Sequence, residues 1–235
     1  MSLVYLYALV DEEPGGPMGE GIAGEPLRLV PGAISAVTGD LPERPKPDRE
    51  TLEAQDAVVR RLAGRFGAIL PARFGEAFAD EPALAARLEP RATEIAASLA
   101  LVRGCVQMTL RVFGAPEALS DPEPEPAGGP GTRYLAARQK AGERSRSLPE
   151  IDPLREALRP LLRAERIERH ESGGPLLGTA YHLIPRGEAA AYLDVLEAGK
   201  ARIGGRRVAA TGPWPPYAFA PESAPSSLKC PPRRP

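Results

Sequence analysis

Residues Leu3–Val10 read LVYLYALV, eight apolar positions without a break. No alternation leaves a face for water, so a strand here has to be covered on both sides by other parts of the chain. The run falls well short of the roughly 20 apolar residues that span a bilayer, and no basic segment precedes it as in a secretory leader. The rest of the chain must therefore build layers around its own beginning.

The segments that follow supply candidates for those layers. Residues 11–24 are rich in Gly and Pro and read as a loop, and Leu27–Val30 and Ala33–Val37 read as two short strands about the turn at Pro31 and Gly32. Asp48 is a helix N-cap, and Leu52, Val58, Val59, Leu62 and Phe66 recur at helical spacing on one apolar stripe, with Gly67 as the stop. Ala68–Leu70 reads as a short strand. Asp80, Glu81 and Pro82 start a second helix that carries Leu84, Leu88, Ile95, Leu99 and Val102, with a kink or restart at Pro90. Cys105–Phe113 alternates, with Val106, Met108, Leu110 and Val112 on one face and Gln107, Thr109 and Arg111 on the other, which predicts a half-buried strand closing a first α+β unit.

Residues 114–131, including PEPEPAGGPG, hold too few apolar side chains to join a core and read as a linker. Beyond it the pattern predicts a mostly polar helix over 132–146, a helix from Asp152, a hairpin of Arg166–Glu171 and Leu176–Ile184, a helix over Glu188–Gly199 and a last strand at Arg206–Thr211. The fold class expected is α+β in two domains: a mixed sheet domain over 1–113 and a ferredoxin-like domain over 132–219, with a Pro-rich disordered tail at 220–235.

Two stretches stand out in a chain poor in aromatic residues. Thr211–Phe219, TGPWPPYAF, holds the only tryptophan and three prolines in nine residues, so it can be neither a helix interior nor a central strand. It either seals one end of a core with Trp214 and Tyr217 or offers a preformed aromatic docking surface. In Leu70–Phe78, LPARFGEAF, either Phe74 and Phe78 plug the core while Arg73 pairs with an acid, or Arg73 marks a recognition site.

Other chemistry has little support. At a formal net charge of −1 no global field argues for nucleic acid or an anionic membrane as partner, and neither is expected. Cys105 and Cys230 give neither a disulfide framework nor a zinc spacing, and a reducing, soluble, intracellular setting is expected. His170 reads as a solvated residue at a hairpin edge and His182 as a hydrogen-bonded residue of an apolar strand, so no catalytic group, metal or cofactor is assigned. The pairs Gly128–Gly129, Gly173–Gly174 and Gly204–Gly205 lack the strand–loop–helix context of a phosphate cradle and read as turns.

VYLYALV, LPARFGEAF, the Gly131, Tyr134, Leu135, Arg138 pattern and TGPWPPYAF come in an order that resembles the gas vesicle protein L/F family, from Val4 to Phe219. Two departures are present: Gln55 and Asp56 stand where members commonly carry His-Glu, and Gln107 and Met108 stand where Glu-Trp is usual. The resemblance implies a non-enzymatic cytoplasmic protein of the gas vesicle, acting in assembly or as a minor structural component. Its implied partners are the small hydrophobic shell protein and other gas vesicle accessory proteins, with no nucleic acid, membrane or small-molecule substrate. The family-motif positions expected to organise a binding surface are Arg73, Phe74, Gly75, Tyr134, Arg138, Trp214, Pro215, Pro216 and Tyr217. Trp214 is expected at the contact between the domains, near the Arg73–Phe74 turn. The alternative is a small-molecule-binding enzyme or sensor built on the ferredoxin-like domain, with Arg73 holding an anion.

Overall fold

The computed structural model describes residues 2–11, 16–114, 145, 147–170 and 174–221. Strand β1 (Leu3–Val10) is buried at seven of its eight residues, as its unbroken apolar run requires. It lies inside an antiparallel sheet of order β2-β3-β1-β4, with β2 (Arg28–Val30), β3 (Ser35–Leu41) and β4 (Ile69–Pro71). β5 (Ala77–Phe78) pairs with the start of β1, on the same side as β4.

Helices cover both faces of this sheet. α1 (Arg49–Ala63) begins at Asp48, whose carboxylate accepts the Thr51 N–H at 2.9 Å, and ends at Gly64 rather than Gly67. Its Val58 and Leu62 pack with Phe66 on Tyr5, Tyr7 and Val10. α2 (Glu81–Leu88) is capped by Asp80 and passes through a 3-10 turn at Glu89–Arg91, the break expected at Pro90, into α3 (Ala92–Val102). Leu84, Ile95, Leu99 and Val102 cover the opposite face, on Val4, Leu6 and Leu9.

Strand β6 (Cys105–Phe113) does not close this first unit. It sits in the middle of a second antiparallel sheet, of order β7-β8-β6-β9, with β7 (Ala164–Arg169), β8 (Leu176–Pro185) and β9 (Arg207–Trp214). With α4 (Asp152–Leu158) and α5 (Ala189–Gly199) between strands, the connection is β-α-β-β-α-β, the ferredoxin-like pattern, and β6 is the first strand it needs. The alternation of β6 fixes which side chains share a face, but strand partners are chosen by packing: Met108, Leu110 and Val112 meet Leu154, Leu158, Tyr192 and Leu196. The chain thus passes between the sheets at Arg103 and Gly104, before the expected linker.

The two halves share a core, in which Cys105, Leu183 and Phe219 pack with Leu99 and Val102. Arg186 Nη2 donates to the Phe66 carbonyl at 3.1 Å and Arg163 Nη2 to the Ala100 carbonyl at 3.1 Å, closing the same seam. Of the expected linker, polar helix and tail, all but Gly114, Ser145, Ala220 and Pro221 lie outside the described residues, and Tyr134 and Arg138 with them.

Candidate functional site

The turn between β4 and β5 is held by a hub at Tyr5. Its hydroxyl donates to Gln55 Oε1 of α1 and accepts the Gly75 N–H at 3.0 Å. Gly75 has φ +81°, a conformation L side chains rarely adopt, so glycine is needed for the N–H to point at Tyr5. Arg44 donates to the carbonyls of Gly75 and Ala77 and covers this edge of the sheet. The turn presents Arg73 exposed and Phe74 half-buried, whereas Phe78 packs against the core. Arg73 makes no ion pair among the described residues, so the expected pairing with a surface acid is not formed.

The closing stretch approaches the same place from the second sheet. β9 pairs Thr211 with Thr109 and then Trp214 with Gln107, so Gly212 and Pro213 face Met108 alone in a bulge. Gly212 has φ +132°, and a Cβ there would lie 2.8 Å from the Gln107 carbonyl oxygen. The bulge returns Trp214 to register, half-buried, with its Nε1–H donating to Thr211 Oγ1 at 3.2 Å. Arg60 of α1 lies over the indole, 4.2 Å from the ring centroid, and also pairs with Asp56 at 2.6 Å. Tyr217 O–H donates to Asp56 Oδ1 at 2.9 Å. Pro215 and Pro216 are buried between these two aromatic contacts. Gln107 Oε1 accepts the Ala218 N–H at 2.8 Å, Arg166 donates to the Ala218 carbonyl, and Phe219 enters the shared core.

Phe219, then, seals the core, while Trp214 and Tyr217 fasten the closing stretch to α1. Trp214 does lie between the halves as expected, but Tyr217 and Ala218, not Trp214, share a surface with Arg73 and Phe74. Those residues line a half-open cleft of about 550 Å³ floored by Leu6, Leu70 and Ile95. Glu76 stands in this cleft, and burial pushes its carboxyl above the ordinary range despite Arg87 and Arg73 nearby.

Several contributors carried no functional signal in the sequence. Gln55, Asp56 and Gln107 stood out only as departures from a family pattern, yet all three hold the two motifs in place. Leu52, expected on the buried stripe of α1, is 44% exposed at the mouth of the cleft. His182 is fully buried, with Nδ1 2.7 Å from Tyr192 Oη and Nε2 3.0 Å from Glu165 Oε1, and His170 lies 3.1 Å from Thr179 Oγ1. Neither histidine lines the cleft. Among the described residues no group of three His, Cys, Asp or Glu side chains could hold a metal ion, and no helix is long and apolar enough to cross a membrane.

Fold and site together define an α+β protein of two antiparallel sheets, the second ferredoxin-like, tied by an aromatic and proline-rich closing segment across a cleft. The chain belongs to the gas vesicle synthesis protein GvpL/GvpF family, whose model matches residues 3–221. It is 30% identical over 250 residues to gas vesicle protein L of Streptomyces sp. (strain CB03234), covering 93% of this chain and 92% of that one. It is 27% identical over 236 residues to gas vesicle protein F of the same strain, covering 92% and 98%. The crystal structure of GvpF from Anabaena sp. PCC7120 shares the fold at a TM-score of 0.71 and 16% identity, over 95% of this chain and 98% of that one. GvpF from Microcystis aeruginosa gives 0.70 at 17% identity, over 94% and 99%. Family membership gives the chain a gas vesicle-related role.

Proposed function

We propose that this protein is a non-enzymatic, cytoplasmic accessory protein of the gas vesicle that acts in vesicle assembly or as a minor structural component. It does so by binding the small hydrophobic shell protein and other vesicle proteins. The observation that carries this reading is the convergence of two family-motif stretches, more than a hundred residues apart in sequence, on one cleft. Arg73 and Phe74 come from the first sheet and Tyr217 from the closing stretch, and all three line it. Gly75 shapes the first side, and Trp214, Pro215 and Pro216 shape the second. Tyr134 and Arg138 remain proposed contributors from the helix expected before Asp152.

The physical logic is that of a holding surface. A shell subunit that polymerises through apolar, strand-rich faces is prone to aggregate before it is placed, and a partner with a partly apolar cleft can shield one such segment. The test is affinity capture of shell protein by the tagged full-length chain, with vesicle yield measured in a deletion strain. Shell protein is expected to co-purify and yield to collapse. Normal vesicles without the protein and no captured shell protein would overturn the reading. A metabolite-specific rise in thermal stability in place of that capture would favour a small-molecule sensor.

A further inference from the structure

The cleft has an unspent positive charge beside an apolar floor. Its three acidic side chains are each committed or disfavoured as charges. Asp56 accepts from Tyr217 and Arg60, Glu168 accepts the Tyr181 O–H at 3.0 Å, and Glu76 is held by burial above its ordinary carboxyl range. Two of its arginines are engaged as well: Arg166 at the Ala218 carbonyl and Arg91 with Glu94 at 3.1 Å. Arg73, on the turn that Gly75 and Tyr5 fix, is exposed, and although its backbone bonds to Glu76 its guanidinium makes no hydrogen bond or ion pair among the described residues. Large apolar groups also stay wet here: Leu52 is 44% exposed and Tyr217 38% exposed, and both line the cleft. A small molecule confined to the floor would leave both uncovered, so the complementary occupant continues out over the mouth.

We propose that the cleft receives a short segment of a partner chain that seats apolar side chains on Leu6, Leu70 and Ile95, covers Leu52 and Tyr217, and pairs an adjacent carboxylate with Arg73. In naming the shell protein as that partner, the inference rests on the function proposed above. Arginine suits the task because its planar fork engages a carboxylate with two hydrogen bonds, and a position fixed by backbone contacts lowers the entropy lost on binding.

The experiment uses the purified full-length chain and synthetic peptides tiling the shell protein, with binding read by fluorescence polarisation. Tiles that place Asp or Glu next to two or more apolar residues are expected to bind. Arg73→Glu is expected to weaken them about tenfold, and an acid-to-Lys change in the peptide to restore most of that loss, the signature of direct pairing. Leu52→Asp is expected to weaken binding without any change at the charged position. Both side chains are exposed, and an unchanged thermal transition verifies that each variant is folded. If shell protein is captured but neither variant changes peptide affinity, the cleft assignment fails and the proposed function stands. If the wild-type chain binds neither shell protein nor any tile, both fail. Saturation by dodecanoate without peptide binding, or a concentration-dependent dimer that Leu52→Asp dissolves, would give the cleft another occupant and overturn the proposal.

Discussion

The cleft between the sheets and the helix-covered face of the ferredoxin-like sheet both remove carboxylates from water, with opposite results. On the helix face, Glu150 has a fully buried side chain and is gripped by Arg169 through two hydrogen bonds of 2.8 and 3.1 Å. Burial alone would raise its pKa, but Arg169 holds it below the ordinary value. Glu165 behaves alike: burial opposes ionisation, yet hydrogen bonds from His182 and Arg155 hold it at about 2. An ionised Glu165 only accepts, so the His182 nitrogen facing it carries a proton. In the cleft, burial outweighs what opposes it at Glu76, the nearby charge of Arg87 and a hydrogen bond from the Arg73 backbone, and the carboxyl is pushed up. Buried charges with every hydrogen bond made fix one packing arrangement, whereas unsatisfied charges beside exposed apolar groups are what a binding surface leaves for its partner.

The sharpest way to break this contrast is to remove one partner of the best-satisfied pair. Glu150→Ala should strand Arg169 and cost about 3 kcal/mol, or about 10 °C in Tm by calorimetry. A loss near zero would mean the pair does not hold α4 against the sheet. The next effect is on acid stability. Because the folded pKa of Glu165 lies below the unfolded value near 4.3, its stabilisation is present above that value and is lost as pH falls toward about 2. Glu165→Gln should therefore lower Tm at pH 7 and flatten the fall in Tm between about pH 5 and pH 2. The smallest effect is expected in the cleft, where the sign reverses. The raised pKa of Glu76 means that its charged form costs the folded state, so Glu76→Gln should raise Tm slightly at pH 8 and leave it unchanged at pH 4. A lower Tm at pH 8 would show that Glu76 has a stabilising partner and would erase the difference between the two regions.

Local signals in the sequence translated well into elements. Asp48 and Asp80 cap the helices they were expected to cap, Pro90 marks the break between α2 and α3, and the alternation of Cys105–Phe113 forms a strand. Each of these depends on contacts within a few residues, where backbone geometry and side-chain chemistry suffice. Leu52 shows where such reasoning stops. Its spacing puts it on the apolar stripe of α1, but whether that end of the stripe is covered depends on how far β4 and the closing stretch extend.

At the candidate site, the peculiarity of LPARFGEAF and TGPWPPYAF was visible in their composition, and their family was legible from the order of the motifs. Their meeting was not, because it runs through Asp56, Arg60 and Gln107, ordinary polar residues whose partners are up to 161 positions away. Gln107 read as the polar side of a strand and as a departure from the family pattern, yet it is 3% exposed and carries the backbone of Ala218.

The sequence by itself determined that Leu3–Val10 would be a covered internal strand, that helices would start at Asp48, Asp80 and Asp152, that the later half would be ferredoxin-like, and that proline would keep the closing stretch out of any sheet interior. Only the tertiary structure decided that β6 belongs to the second sheet, that Phe219 rather than Trp214 seals the core, and that Tyr217 and Arg73 line one cleft. Periodicity and caps are set by neighbouring residues, so they can be read along the chain. The choice of strand partner and the closing of a cleft are set by which surfaces bury best against each other, and those surfaces exist only once the chain has folded.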